Sequence, residues 1–303
     1  MGNGGISMDA ALLPDRGVVK VVGEAAGKFL NGLLTADISK VTPDRAAFAA
    51  LLTPQGKIMV DMIVAQAPAE DGGGYFLDCP RALAKTLTDR LDFYKLRAKV
   101  LIEDLSETLG VLAAWGGAGE TDCGLCYADP RLDELGLRCM LPPHLAAEAA
   151  AELGATLSDA KSYEAHRIAL GAPRGGLDFN YNDAFPHEAD MDQLNGVDFE
   201  KGCYVGQEVV SRVEHRGTAR KRVLPVTYED FAPEAGVVVK VGDAEVGVMG
   251  SSAQGRGLAM LHLGRVGAAL AAGEPILSGG IALHPSKPAW ARFDWPGDAK
   301  AAE

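Results

Sequence analysis

Residues 236–252, GVVVKVGDAEVGVMGSS, alternate short valine-rich runs with glycines. Valine favours extended backbone, whereas glycine interrupts strands at turns and bulges. The runs VLPVTY at 223–228 and GLAMLHL at 257–263 have the same character, and this part of the chain shows almost no helical periodicity. Because short strands separated by glycines are typical of small closed sheets, the sequence predicts a C-terminal β-barrel domain over residues 223–303.

The preceding region, residues 1–222, mixes strand and helix patterns. Apolar runs at 46–52 and 58–65 are joined by Thr-Pro-Gln-Gly, which predicts a β-hairpin. A β-rich run at 17–23 precedes apolar residues at helical spacing, and leucines recur every four residues in a helix that begins at Pro80. Because the elements do not follow strict βαβ alternation, we predict an α+β fold.

The composition argues against two classes of partner. The chain has 303 residues, of which 41 are acidic and 29 basic, so its formal net charge is −12. Such a surface repels phosphate backbones and anionic membranes, and no apolar run reaches the roughly 18 residues of a membrane helix. We therefore expect neither nucleic acid as the main ligand nor a membrane location. The chain shows no basic head followed by an apolar stretch, which predicts a cytoplasmic protein.

The cysteines do not suggest a disulfide framework, because the cytosol keeps thiols reduced. Two of the five cysteines form CGLC at 123–126, the spacing of a redox motif or half of a zinc site. A redox pair should open a helix, which Gly124 and the turn-like residues after it do not favour. A zinc site needs two more ligands, and Cys139 and His144 give no recognised spacing. We predict no redox or metal function for CGLC.

Two polar segments are candidates for binding. HRGTARKR at 215–222 carries five basic residues, which either grip a small anionic molecule or solvate a helix end. FPHEADMD at 185–192 gathers one histidine and three carboxylates, but its spacing matches neither HExxH nor an EF-hand loop. A loop with one functional carboxylate is the simpler interpretation.

The segment KGCYVGQE at 201–208 is the strongest candidate for chemistry. Gly206 can cap a helix that begins QEVVSRV, which places Cys203 just ahead of a helix N-terminus. The partial positive charge there and the neighbouring Lys201 would favour the thiolate, and Gly202 would let a ligand or partner approach the backbone. The alternative is a small buried thiol between two turns, the usual fate of a free cysteine.

KGCYVGQE, followed by the basic segment, resembles the signature of the YgfZ family, folate-binding relatives of the glycine-cleavage T-protein that support iron–sulfur enzymes. FLNGLLTADIS at 29–39, LLTPQGKIMVDMIV at 51–64 and FPHEADMD also resemble family segments, in the family's order. The resemblance covers nearly the whole chain except residues 105–155. It implies a folate-binding region of two interleaved α+β units, followed by a small β-barrel, around a central cavity.

The resemblance also implies site residues. Glu188 occupies the place of the T-protein glutamate that holds the pterin, and a carboxylate can accept paired hydrogen bonds from the ring N–H and amine of a pterin. Basic residues of the 215–222 segment would meet the glutamyl tail. The residues predicted to contact tetrahydrofolate or a one-carbon derivative are Glu188, Lys201, Gly202, Tyr204, Gly206, Gln207, Glu208, Arg216 and Arg222.

One departure from the T-protein bears on catalysis. Where the T-protein has paired aspartates, this chain has Val60-Asp61, which leaves one carboxylate to assist aminomethyl transfer. We therefore predict a tetrahydrofolate-binding protein that supports assembly or repair of iron–sulfur clusters in client enzymes, with Cys203 as the essential thiol. Because one thiol cannot supply the ligands of a stable cluster, we expect no permanently bound metal. The alternatives are a folate-dependent transferase with Asp61 as the acid–base group, or an interaction scaffold that has lost its ligand.

Overall fold

The computed structural model describes residues 8–217, 219–229 and 231–295. These residues form two compact units. The first unit contains the described residues up to Tyr163 and Leu194–Gln207, and the second contains Glu164–Gln193 and the described residues from Glu208 onward. The sequence predicts one boundary, between residues 222 and 223, whereas the contacts group residues 164–193 and 208–222 with the C-terminal strands. The functional division at 222/223 stays a prediction.

The first unit contains two five-stranded sheets, and their strands are interleaved along the chain. One sheet has the order β10-β1-β7-β9-β8 and the other has β3-β4-β5-β2-β6. Successive strands β1 and β2, and again β6 and β7, therefore lie in different sheets. The strands are β1 (Met8–Leu13), β2 (Arg16–Val22), β3 (Ala47–Leu52), β4 (Ile58–Gln66), β5 (Tyr75–Pro80), β6 (Leu101–Asp104), β7 (Gly110–Trp115), β8 (Leu125–Ala128), β9 (Leu137–Leu141) and β10 (Ala155–Leu157).

Helices accompany these sheets along the chain. The helices are α1 (Ala26–Asn31), α2 (Ala84–Lys95), α3 (Ala146–Glu152), α4 (Ala160–Leu170) and α5 (Gln207–Arg216). Both α4 and α5 include residues at which the chain passes from the first unit to the second. Within the described ranges, no helix combines the length and apolar character needed to cross a bilayer.

The predicted hairpin is present as β3 and β4, which pair antiparallel with Ala50 opposite Asp61. Its turn is closed by a hydrogen bond of 2.8 Å from the Gly56 N–H to the Thr53 carbonyl. Gly56 has φ +80°, a conformation that glycine adopts without steric cost. Nearly all of β4 is buried, which agrees with its continuous apolar run.

A buried ionic network joins the two sheets of the first unit. The Asp78 carboxylate, on β5, accepts hydrogen bonds from Arg16 Nε at 2.6 Å and from Arg138 Nε, on β9, at 2.7 Å. Burial alone would raise the pKa of Asp78, but the Arg138 and Arg16 guanidinium groups outweigh it and hold the pKa below its usual range. The carboxylate is therefore ionised at neutral pH, and it compensates two cations that would otherwise be buried alone.

The second unit contains the predicted barrel, closed in the order β11-β14-β13-β12-β15-β16. Its interior is apolar, with Leu224, Val239, Leu261 and Leu283 all buried. The strands and the helix between them are β11 (Lys221–Thr227), β12 (Val238–Val241), β13 (Ala244–Ala253), β14 (Arg256–His262), α6 (Leu263–Ala272), β15 (Ile276–Ser278) and β16 (Ile281–Pro285). The α+β class and the C-terminal barrel are confirmed. The central cavity of the expected fold stays a prediction.

One expectation about the cysteines is wrong. Cys126 on β8 and Cys139 on β9 lie opposite each other in the antiparallel register and form a disulfide, with Cα atoms 4.0 Å apart. Nothing in the sequence predicts a disulfide, whereas the register of two strands brings Cys126 and Cys139 together. Cys123 is a free, half-buried thiol, so CGLC is not a redox pair.

Candidate functional site

Cys203 is exposed on a segment that is fixed on both sides. A Cβ added at Gly202 would meet no atom within 4 Å, so the backbone next to the thiol faces open space. The alternative of a small buried thiol between two turns is therefore wrong. The thiol is accessible to a macromolecule, not only to a small ligand.

Lys201 fixes the segment on the N-terminal side of Cys203. Its ammonium donates hydrogen bonds to three backbone carbonyls: Asn31 O at 2.7 Å, Leu34 O at 2.6 Å and Ala36 O at 2.7 Å. These carbonyls belong to the end of α1 and the loop after it. The last carbonyl groups of a helix have no hydrogen-bond donor within the helix, so they are available to Lys201. Lys201 is only 8% exposed, so its side chain anchors the segment and does not face a ligand.

Tyr204 is the second buried anchor of this segment. Its ring lies 5.2 Å from Lys201 Nζ, a cation–π contact. Burial lowers the pKa of Lys201 to about 8, against the opposing charges of Asp37 and Asp198, and burial raises the pKa of Tyr204 to about 12. The sequence predicts both residues as ligand contacts, and that role stays a prediction. In the structure, both residues hold the segment in place.

Gly206 fixes the segment on the C-terminal side of Cys203. Its φ is +82°, and a Cβ at this position would lie 2.6 Å from the Thr53 carbonyl oxygen. The glycine therefore packs directly against the β3–β4 turn. The predicted helix follows as α5, with Gln207 and Glu208 in its first turn, where the Glu208 charge is favourable. Two sequence motifs, LLTPQGKI and KGCYVGQE, are thus brought into contact.

Asp61, the candidate acid–base group of the transferase alternative, lies on β4 and is 7% exposed. The Arg16 guanidinium interacts with its charge. The carboxylate therefore belongs to the interior of the sheet region, close to the ionic network around Asp78.

Glu188 lines a cavity of about 390 Å³ in the second unit. The carboxylate is half-buried, and its Oε2 accepts a hydrogen bond of 2.8 Å from the Phe185 N–H. Within the described part of the chain, Oε1 has no hydrogen-bond partner. Lys221, Gly176 and Phe179 line the same cavity. The cavity offers a fixed acceptor, a cation and an aromatic surface, and its volume suits a small molecule.

Arg222, a predicted contact for the glutamyl tail, is engaged inside the protein. Its NH1 donates to the His187 carbonyl at 2.8 Å and to Asp190 Oδ1 at 2.9 Å, and its NH2 donates to Asp192 Oδ2 at 2.8 Å. The guanidinium carbon also lies 4.4 Å from the centre of the Phe293 ring. Arg222 thus holds the FPHEADMD loop against β11, which orients Glu188. Arg216, in contrast, is exposed at the end of α5.

Lys221 is the residue that sequence reasoning did not single out. It belongs to the basic segment, but nothing in HRGTARKR distinguishes one cation from the next. The strand β11 distinguishes Lys221 from Arg222, because neighbouring residues of a strand point to opposite faces. Lys221 therefore reaches the cavity whereas Arg222 is buried.

Comparisons with known proteins give the family. A family model described as CAF17, C-terminal beta-barrel domain, matches residues 220–293. The mitochondrial iron–sulfur cluster assembly factor IBA57 of Homo sapiens is 31% identical over 314 aligned positions, which cover 94% of this chain and 84% of that protein. The chain belongs to the IBA57 family.

Other members agree with this assignment. The mitochondrial IBA57 homolog of Mycosarcoma maydis is 34% identical over 230 residues, 72% of this chain but only 57% of that protein's length. The homolog of Pyricularia oryzae is 32% identical and covers 85% of this chain and 70% of its own length. Membership of the YgfZ family, which the sequence resemblance implies, stays a prediction.

The fold of this IBA57-family chain is shared with an enzyme. The glycine cleavage system aminomethyltransferase T from Bartonella henselae superposes with a TM-score of 0.74, over 95% of this chain and 88% of that one. The sequence identity is 15%, so the likeness establishes the fold alone. The predicted aminomethyltransferase-like fold is confirmed.

Proposed function

We propose that this chain acts in the assembly or repair of iron–sulfur clusters in client proteins, with Cys203 as its essential thiol. Membership of a family whose named members are iron–sulfur cluster assembly factors supports the process. The choice of Cys203 rests on its position as an exposed thiol between two anchors, the buried Lys201 and the closely packed Gly206. A flexible thiol would need no such anchoring.

The thiol would act on the cluster as cargo. A thiolate is the usual protein ligand of iron in such clusters, and one thiolate supplies one ligand of the four that a cluster requires. The remaining ligands would come from a client or an assembly protein, which must therefore approach Cys203 closely. The open space at Gly202 permits this approach.

We further propose that the Glu188 cavity binds tetrahydrofolate or a one-carbon derivative. The unpartnered Oε1 of Glu188 can accept a hydrogen bond from the pterin edge, and the Phe185 N–H holds the other oxygen in place. Lys221, rather than Arg222, would meet a carboxylate of the ligand, because Arg222 is already engaged. The folate supplies one-carbon chemistry when bound, whereas these residues bind and orient it.

The test of the thiol is genetic. In cells that lack this protein, expression of Cys203→Ser should leave the activities of iron–sulfur enzymes at the level of the deletion, with the protein present at normal abundance. Cys123→Ser is the matched control, because it removes a free thiol from another site, and it should restore these activities. Full restoration by Cys203→Ser would contradict the proposal.

The transferase alternative predicts the opposite pattern. Turnover of a folate-linked aminomethyl substrate would depend on Asp61 and survive Cys203→Ser. Loss of turnover in Asp61→Asn, with the fold intact, would support this alternative.

A cytoplasmic location also stays a prediction, because the relatives named above are mitochondrial proteins.

A further inference from the structure

Leu96 has a backbone conformation that is unfavourable for leucine. Its φ is 46° and its ψ is −102°, and the Ala98 N–H donates a 2.7 Å hydrogen bond to the Lys95 carbonyl. These are features of the first central position of a type II′ turn, where glycine is the usual residue. Strained backbone at a non-glycine residue is retained where the surroundings or a function require it.

Folding does not explain why this residue is a leucine. The side chain is 88% exposed, so it gains almost nothing from the protein core. Glycine would fit the turn better and would lose no buried contact. The remaining explanation is that the side chain is used by something outside the chain.

Leu96 is part of an apolar group. Phe93, on the last turn of α2, is 68% exposed, and Leu101, at the start of β6, is 53% exposed. Three of the nine large apolar side chains that are exposed in the described residues thus fall within positions 93–101. Such clustering marks interaction sites, whereas single exposed apolar residues are common. We call residues 93–101 the Leu96 surface.

The strand β6 extends this surface. It is the last strand of its sheet and pairs only with β2 among the described strands. Its outer backbone groups are therefore available to another chain, and an exposed edge with an apolar side chain is a site for intermolecular pairing.

The charge of the Leu96 surface identifies its partner. Lys95, Arg97 and Lys99 lie between the apolar residues, whereas the chain as a whole has a net charge of −12. Lys95 and Lys99 have only loose ion pairs, with Asp92 at 3.4 Å and Glu24 at 3.8 Å, and Arg97 has none within the described residues. A local positive charge attracts acidic surfaces, whereas in a symmetric dimer the same positive patch would face its own copy and be repelled.

We propose that the Leu96 surface docks a protein partner whose contact region combines apolar side chains with carboxylates. The position of the surface fits the proposed function, on which this step rests. Glu24, the partner of Lys99, lies just before α1, and Asn31 at the end of α1 binds Lys201. A helix of this length spans about 9 Å, so the contacts of the Leu96 surface and of the Cys203 segment lie at the two ends of one short helix in the same unit.

The first test is photo-crosslinking in cells, with p-benzoylphenylalanine placed at position 93. Phe231 is the control position, because it is 81% exposed but lies in the second unit. We expect a protein adduct at 93 that is absent at 231, attached through a segment rich in carboxylates and apolar residues. An adduct with a second copy of this chain, an adduct with lipid, equal adducts at both positions, or no adduct would overturn the proposal.

The second test uses the purified partner and variants at Leu96. Leu96→Asp should weaken binding about tenfold or more, as expected for a central apolar contact, and binding should fall as salt rises. Leu96→Gly should also weaken binding but raise the melting temperature, because it relieves the turn. Phe231→Asp should leave affinity unchanged. Unchanged affinity in both Leu96 variants, or a lower melting temperature in Leu96→Gly, would overturn the proposal.

The two proposals fail in different ways. If Leu96→Asp binds normally while Cys203→Ser loses iron–sulfur enzyme activity, docking at this surface is wrong and the thiol remains essential. If Leu96→Asp loses binding while Cys203→Ser is fully active, the surface is a docking site and the role of the thiol is wrong.

Discussion

The segment that carries Cys203 and the cavity that contains Glu188 are built in opposite ways. Around Cys203 the thiol is exposed and the segment is anchored on both sides: the buried Lys201 donates hydrogen bonds to three carbonyls, and Gly206 packs on a turn. Around Glu188 the carboxylate is half-buried in a cavity, and one of its oxygens has no partner within the described chain. The first arrangement suits a macromolecular partner, whereas the second suits a small ligand.

This contrast separates residues that hold the fold from residues that are free to bind. In the Cys203 segment, substitution of the anchors should lower the free energy of unfolding while substitution of the thiol should not. In the cavity, Glu188 and Lys221 should contribute little to the free energy of unfolding, whereas Arg222 should contribute much through its buried ion pairs. Stability measurements therefore tell the two kinds of residue apart without knowledge of the ligand.

The largest effect in the Cys203 segment is expected at Lys201. Lys201→Met should lower the free energy of unfolding by about 3 kcal/mol, because it leaves three buried carbonyls without a donor. Urea denaturation measures the change. Lys85→Met is the control: its ion pair with Asp89 is exposed, so less than about 0.5 kcal/mol should be lost. Equal effects of both variants would show that Lys201 is not an anchor.

A smaller loss is expected at Gly206. Gly206→Ala should cost about 2 kcal/mol, because the added Cβ meets the Thr53 carbonyl and φ is positive. Gly202→Ala is the matched control four positions away, where a Cβ meets nothing, and its stability should stay within about 0.5 kcal/mol of the unmodified protein. Equal stability of Gly206→Ala and Gly202→Ala would contradict the close packing of Gly206 against the β3–β4 turn.

The pH dependence of stability sharpens the role of Lys201. Burial lowers its folded-state pKa from 10.5 to about 8, so between these values the unfolded chain binds more protons than the folded chain. The stability that Lys201 contributes should therefore rise with pH across this window. The difference in unfolding free energy between the unmodified protein and Lys201→Met should widen from pH 8 to pH 10. A narrowing difference would mean that the carbonyls raise the pKa above its ordinary value.

The smallest effect on stability is expected at Glu188. Glu188→Gln should change the free energy of unfolding by less than about 0.5 kcal/mol, because the amide oxygen can still accept from the Phe185 N–H. Arg222→Met is the contrasting variant, and it should destabilise strongly because it leaves Asp190 and Asp192 buried without a cation. Thermal unfolding of both variants measures the difference. A large loss in Glu188→Gln would make the carboxylate structural.

Much of the fold could be predicted because its signals are local. The β3–β4 hairpin follows from two apolar runs and a Pro-Gly turn, and the barrel follows from valines between glycines. The helix α6 was not predicted, because GLAMLHL continues into it without a break and Gly264 and Gly267 obscure its periodicity. A left-handed Gly273 ends this helix, a signal that the sequence does contain.

The site was predictable in its residue types but not in their tasks. The motif identifies Cys203, which is exposed, and Glu188, which lines a cavity, but the roles of both residues stay predictions. Lys201 and Arg222 look like binding residues in the sequence, but distant carbonyls and carboxylates engage them. The Cys126–Cys139 bridge and the turn at Leu96 likewise depend on strand register and backbone dihedrals. Contacts between remote segments leave no local pattern.

The division between a ligand cavity and an exposed thiol can be tested by calorimetric titration of the purified protein with tetrahydrofolate, in parallel with Glu188→Gln and Cys203→Ser. We expect Glu188→Gln to weaken binding at least about tenfold, because it replaces a charged acceptor, and Cys203→Ser to bind as the unmodified protein does. Absence of binding to the unmodified protein, or equal affinity in Glu188→Gln, would contradict the division between a ligand cavity and a thiol for partners.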